Sequence, residues 1–240
     1  MRDENRQLVD KALRNFWDGR DKQIEKQRQS GKMDAGTRGA VTGGGHLDGV
    51  AKLLADICHR AGYSQQQVSY RGSESKKAPR LPGYFRPSKS WDIVAWDKLW
   101  QPTAVIELKS QVGSFGNNSN NRAEEALGNA VDLARASGTG GRLAKAPWSG
   151  YVFVMEDGPA SRKPEKAVAG GDLDPVFFGA SYLDRMAILC RRMVSAGLYT
   201  AAWVVATSSP PDFTWSEPDP QYSGFEQFSD SLIKGLANSE

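Results

Sequence analysis

The chain has 240 residues, a net charge of +3 at pH 7, two cysteines and two histidines. That length can bury a full core, and one domain with elaborations is the simplest division. The charge is mildly basic and as a bulk figure selects no partner.

No apolar run is long enough to span a membrane. The opening Met-Arg-Asp-Glu-Asn-Arg-Gln lacks the apolar stretch of a signal peptide. Cys58 and Cys190 lie far apart in helix-like segments and read as buried apolar side chains in a reducing cytosol. The expected location is therefore cytoplasmic. His46 and His59 give too little material for a histidine-rich metal centre or a Ser-His-Asp triad.

Residues 4–29 read as a charged helix with Leu8, Leu13, Phe16 and Trp17 as apolar positions. A glycine-rich loop spans 30–45 and lacks the Gly-Lys-Ser/Thr ending of a nucleotide-binding loop. Leu47 to Ala61 is an amphipathic helix with Leu47, Val50, Leu53, Leu54, Ile57 and Cys58 on one face. A short strand follows at 68–70, then a polar, basic loop up to Ser90.

Residues 91–109 read as two apolar strands around a short polar turn. Asp92 opens the first strand; Glu107 and Lys109 interrupt the second. Side chains two apart share a strand face, so Glu107 and Lys109 point one way and Ile106 and Leu108 the other. With the turn centred between Leu99 and Trp100, Asp92 falls opposite Glu107, about 4.5–5.5 Å away. Asp97 falls near Pro102 and is expected to be a turn residue. Chance alone supplies about one or two acid-x-Lys triplets in such a composition, so context decides. Glu74-Ser-Lys76 sits in a solvated basic segment; Glu107-Leu-Lys109 sits inside an apolar strand. Its bland alternative is a structural ion pair or an edge strand.

The polar tract Gly113-Ser-Phe-Gly-Asn-Asn-Ser-Asn-Asn-Arg122 leads into a helix expected from about Arg122 to Ser137. Buried strands are expected at 150–155 and 201–206, helices at 182–196 and 225–236, and a long loop over 156–178. The expected fold class is α/β: a mixed central sheet with helices on both faces and the charged hairpin at one edge. One domain covers 1–240, with an elaboration over 1–45, a core over 46–206 and an extension over 207–240.

Asp92, fourteen intervening residues and Glu107-Leu-Lys109 on a hairpin resemble the PD-(D/E)xK nuclease core, with Trp91 where that motif often carries proline. Further segments carry a narrower likeness. They are Ser90-Trp-Asp-Ile-Val-Ala-Trp-Asp, Ile106-Glu-Leu-Lys-Ser-Gln-Val-Gly, Phe115-Gly-Asn-Asn, Asn121-Arg-Ala-Glu-Glu-Ala and Gly36-Thr-Arg-Gly-Ala-Val-Thr-Gly-Gly. Together they resemble the XhoI-type restriction endonucleases over nearly the whole chain. The resemblance implies cleavage of the palindrome CTCGAG after the first C, leaving four-base 5′ overhangs. A homodimer on double-stranded DNA and a cognate DNA methyltransferase in the same system are also implied.

On that reading Asp92, Glu107 and the backbone carbonyl of Leu108 hold Mg²⁺. Lys109 orients the attacking water and stabilises charge on the phosphate. Asp48, early in its helix, is a candidate acid behind the metal ligands, although acids also favour helix starts. Candidate DNA contacts are Asn117, Asn118, Asn120, Asn121 and Arg122, with Arg38, Lys76, Lys77 and Arg80 as weaker ones. The competing readings are a structure-specific repair or recombination nuclease and a non-catalytic DNA-binding module of the same fold.

Overall fold

The computed structural model describes residues 1–29, 45–71, 78–137, 140–164 and 174–238. Five long helices are α1 (Asp3–Gln29), α2 (Asp48–Arg60), α3 (Phe115–Ala136), α4 (Tyr182–Ser195) and α5 (Phe225–Ala237). The strands are β1 (Val68–Tyr70), β2 (Arg80–Pro82), β3 (Ser88–Ser90), β4 (Ile93–Trp96), β5 (Pro102–Gln111), β6 (Trp148–Glu156), β7 (Ala201–Thr207) and β8 (Trp215–Ser216). Six of them form one mixed sheet in the order β1-β4-β5-β6-β7-β8; β2 and β3 form a separate hairpin.

The sheet is antiparallel at β1-β4-β5, parallel at β5-β6-β7, and antiparallel again at β8. Alternation along the strands sends side chains to two cores. Ile93, Ala95, Ile106, Leu108, Val152, Val154, Trp203 and Val205 pack with residues of α1, α2 and α5. On the other face Tyr151, Phe153, Met155, Ala202 and Val204 meet α3 and α4, and Val94 and Val105 meet Leu133 of α3. Helices thus cover both faces, as expected. Val152, Phe153 and Val154 are fully buried, each stabilising the fold by about 1.5–3 kcal/mol relative to exposure.

Close approach explains two glycines. A Cβ on Gly150 of β6 would lie 2.6 Å from the Trp148 ring, and one on Gly235 of α5 would lie 2.5 Å from it. Only bare backbone lets α5 lie against Trp148. Helix α4 is set by its sequence start, Ser181-Tyr-Leu-Asp184: Ser181 Oγ accepts the Asp184 N–H at 3.2 Å, and Asp184 Oδ2 accepts the Ser181 N–H at 2.9 Å.

Four expectations need correction. The charged hairpin is not the sheet edge, because β1 pairs outside β4 and leaves β5 third of six strands. The segment before Trp91 is not all loop. Leu81 and Trp91 are buried against Val94, Val105 and Leu133, and that anchors the β2–β3 hairpin. The 156–178 segment contains a helical turn at Pro159–Arg162. Helix α3 begins at Phe115, seven residues before the expected start, because Phe115 is buried and stacks on Tyr182 with ring centroids 5.8 Å apart.

Cys58 and Cys190 are free and buried. Burial pushes the Cys58 thiol up to about 12 and raises that of Cys190 as well. Among the described residues no helix is long and apolar enough to cross a membrane.

Candidate active site

The β4–β5 ladder pairs Ile93 with Ile106 and Val94 with Val105, the register that sets Asp92 opposite Glu107. Its turn is fastened by Asp97. Oδ1 of Asp97 accepts the N–H groups of Leu99 and Gln101, both at 2.8 Å, while Trp100 takes a left-handed φ of 58°. Asp97 is a turn residue, as its register requires.

Asp92 lies just before β4, where the ladder ends. Its Oδ2 accepts the backbone N–H of Leu108 at 2.7 Å. A residue's N–H and C=O leave a strand on the same side, so the Leu108 carbonyl projects toward the same edge. Glu107 is 2% exposed and sits on the α3 face of β5. Its Oε1 lies 2.7 Å from Lys109 Nζ and accepts Asn129 Nδ2 at 3.3 Å. Its Oε2 lies 2.7 Å from Lys89 Nζ.

The electrostatics follow from this crowding. Burial first, then the neighbouring Glu107 charge, push the Asp92 carboxyl up to about 6; the Leu108 N–H, Lys109 and Lys89 pull against that. Burial works against the Lys109 ammonium, but Glu107, Asp92 and Glu125 outweigh it and hold its pKa above the ordinary value. Among the described residues, buried polar atoms without a hydrogen-bond partner on this side of the sheet include the Tyr151 hydroxyl, Gln111 Oε1 and Arg122 Nε. Tyr151 is directly beside Glu107 in the β5–β6 register.

An unpaired Tyr151 hydroxyl next to Glu107 suits a site meant to take a ligand or water. Among the described residues no group of three or more His, Cys, Asp or Glu could hold a metal ion. The donors that the geometry offers are two carboxylates, Asp92 and Glu107, and the Leu108 carbonyl. That set fits a hard divalent cation that keeps several waters.

Lys89 and Asn129 were not singled out from the sequence. Lys89 rides on β3. Asn129 belongs to a chain of contacts on α3: its Oδ1 accepts Arg86 Nη2 at 2.8 Å, and Arg86 Nε donates to Asp132 Oδ2 at 2.8 Å. Asp132 Oδ1 also accepts the N–H groups of Tyr84 and Phe85, at 3.0 and 2.8 Å. The tip of the β2–β3 hairpin is thereby tied to the helix that touches Glu107. No lone triplet signals this; a basic residue three before Asp92 was the only trace of Lys89.

The family profile described as "Restriction endonuclease XhoI" matches residues 26–213. The type II restriction enzyme BstVI of Geobacillus stearothermophilus is 40% identical over 182 residues, covering 73% of this chain and 79% of that one. The type II restriction enzyme XhoI of Xanthomonas vasicola is 38% identical over 196 residues, covering 78% and 74%. AbrI of Azospirillum brasilense is 40% identical over 151 residues, covering 62% and 65%. The chain belongs to the XhoI family of restriction endonucleases.

A member of the XhoI family is a type II site-specific deoxyribonuclease, acting on double-stranded DNA, and such enzymes generally use a divalent metal. No solved structure matches the chain at a significant level.

The remaining candidates distribute unevenly in this XhoI-family chain. Asn117, Asn118, Asn120, Asn121 and Arg122 all lie within α3, not in a loop before it. Asn118 Nδ2 donates to the Ser114 carbonyl at 3.2 Å and so serves the helix start; Asn120 and Asn121 are exposed. Arg122 is held by Glu125 at 2.8 Å, and Glu125 also lies 3.7 Å from Lys109. Arg80 is exposed on β2. Arg38, Lys76 and Lys77 lie outside the described residues.

Asp48 starts α2, on the opposite side of the sheet from Glu107, and among the described residues it makes no hydrogen bond or ion pair to Asp92, Glu107 or Lys109. Burial raises its pKa and Arg71 opposes the rise.

Proposed function

We propose that this chain is a Mg²⁺-dependent PD-(D/E)xK endonuclease that cleaves CTCGAG after the first C, leaving 5′-phosphate ends with four-base overhangs. The observation that carries the reading is Glu107, buried between Asp92 and Lys109 at the point where β4 leaves β5. Membership in the XhoI family supports the sequence specificity, since the relative of that name spans most of the chain. The same membership favours a site-specific enzyme over a structure-specific nuclease or an inert binder.

Asp92, Glu107 and the Leu108 carbonyl would hold the ion, which when bound supplies a Lewis acid for the scissile phosphate and acidifies a water. The protein's own part is positional. The Leu108 N–H fixes the Asp92 carboxylate, and Asn129 with the lysines fixes Glu107. Lys109, paired with Glu107 Oε1 but with 23% of its side chain exposed, is the ammonium that would turn toward the phosphate. There it orients the attacking water and stabilises charge developing on the non-bridging oxygens. The water oxygen bonds to phosphorus as the bond between phosphorus and the 3′ oxygen breaks; the water gives up a proton, the departing oxygen takes one from solvent, and the products carry a 3′ hydroxyl and a 5′ phosphate.

Exposed Asn120 and Asn121 at the start of α3 are the strongest candidates for base contact, with Asn117, Asn118 and Arg122 beside them. Arg80 suits a phosphate contact. A palindrome cut on both strands calls for a two-fold homodimer with one site per strand. A host carrying such an enzyme needs a methyltransferase that protects the same sequence.

The test separates binding from cutting. In Ca²⁺ the protein should bind CTCGAG duplex specifically without cleaving it, because the looser coordination places water poorly. In Mg²⁺ it should cut, and Glu107→Ala should bind but not cut. Rapid cutting in Ca²⁺, or by Glu107→Ala, would overturn the assignment.

A further inference from the structure

Lys89 reaches into the site from outside the β4–β5 hairpin. Its ammonium lies 2.7 Å from Glu107 Oε2, donates to the Ser90 carbonyl at 3.0 Å and sits 4.6 Å above the centre of the Trp91 ring. Its side chain is only 10% exposed, against 23% for Lys109. Lysine is rarely buried unless paired, and fixing its long side chain costs rotamer entropy. The pairing here is also not a chance surface contact. The β2–β3 hairpin that carries Lys89 is anchored by buried Leu81 and Trp91, and Arg86 near its tip is bonded to Asn129, which itself touches Glu107.

The two lysines divide the Glu107 carboxylate. Lys109 takes Oε1 and Lys89 takes Oε2. The two ammoniums then balance the charges of Asp92 and Glu107 in a largely buried cluster, with Glu125 at its rim 3.7 Å from Lys109. A divalent ion held by Asp92 and Glu107 would enter against the Lys89 charge or displace it from Oε2.

We propose that Lys89 is a positioning residue that pins Glu107 through Oε2 and masks its charge until a divalent ion is bound. The proposal rests on the reading of Asp92 and Glu107 as the metal-holding pair. Masking has two linked consequences. It weakens metal binding to the DNA-free protein, because like charges oppose each other at short range. It also lets a phosphate approach the metal-free site without meeting an uncovered buried carboxylate.

The test is a titration of the whole protein with Mn²⁺ alone, without DNA, followed by calorimetry and by the electron paramagnetic signal of the free ion. Lys89→Met should bind Mn²⁺ more tightly, by at least about tenfold, because like charges a few ångströms apart repel more strongly near a protein surface than in bulk water. Lys89→Gln keeps a hydrogen bond to Glu107 and drops the charge, so it should shift the same way and serves if the methionine variant does not fold. Lys89→Arg keeps the charge and should stay within twofold of the wild type.

Metal-free binding to duplex DNA should weaken in the two neutral variants. A lysine that only held the hairpin in place would leave Mn²⁺ affinity unchanged or lower it, and either result in a folded neutral variant overturns the proposal. The underlying reading fails separately: if Glu107→Ala does not lower Mn²⁺ affinity of the otherwise intact protein, the metal pair itself is wrong.

Discussion

Asp92 Oδ2 receives the Leu108 backbone N–H at 2.7 Å, a bond that spans the end of β4 to the strand carrying Glu107 and Lys109. It converts a pairing register into a site. The ladder stops at Ile93, and the Leu108 N–H that would have continued it is bonded to a carboxylate instead of a strand.

Lys109→Ala should lower the single-turnover cleavage rate by about 10²–10³-fold, the usual cost of losing one group that stabilises transition-state charge. Specific binding in Ca²⁺, followed by gel shift, should remain within a few-fold. A lysine variant with normal turnover would remove Lys109 from the chemistry.

Asp97→Ala should cut at the wild-type rate while losing stability. Two N–H groups in the turn lose their acceptor, at about 1 kcal/mol each in a denaturant titration. An Asp97→Ala protein that folds normally and does not cut would show that the carboxylate belongs to the site.

The β4–β5 hairpin was legible because its signals are local: alternating apolar residues, a short polar turn, and charges at positions that one register brings together. The start of α3 was not. An asparagine-rich stretch is a weak helix former, and the helix there depends on Phe115 stacking on Tyr182, some sixty-seven residues later in the chain. The β2–β3 hairpin was hidden for the same reason. Its strands are three residues each, and buried Leu81 and Trp91, not propensity, hold them. Lys89 therefore looked like one more basic loop residue. The buried strands β6 and β7 fell close to their expected bounds, since a continuous apolar run needs no partner to be recognised.

Asp132→Ala should loosen the hairpin. Burial works against this carboxylate, but the Arg86 side chain and then the Phe85 and Tyr84 N–H groups outweigh it and hold the pKa below the usual range. Removing it should cost about 3 kcal/mol, as expected for several bonds to one charged group. Limited proteolysis should gain an early cut within 78–90, with reduced cleavage of DNA. An unchanged digestion pattern would argue that the Arg86 network does not hold the tip.

His46 gives a pH signature. Its Nε2 bonds the Ser110 hydroxyl at 2.8 Å in a buried setting, and burial, then Arg20 and Arg71, depress its pKa to about 4. An unfolded histidine titrates near 6.5, so below that pH the unfolded state binds a proton that the folded state refuses. The stabilising effect is whole above about pH 6.5 and is lost as pH falls toward 4. Between pH 7 and 5 the loss should be about 2 kcal/mol at roughly 1.4 kcal/mol per unit. Denaturant titrations should show that loss in the wild type and its absence in His46→Gln; equal pH dependence in both would contradict it.

The measurement that bears most directly on the proposed function uses purified protein with Mg²⁺ on a plasmid carrying one CTCGAG, beside the same plasmid with that site altered. A single linear product from the first plasmid alone, with ends mapping after the first C, is the expected result. Equal cutting of both plasmids, cutting at other discrete sites, or no cutting of either would contradict it.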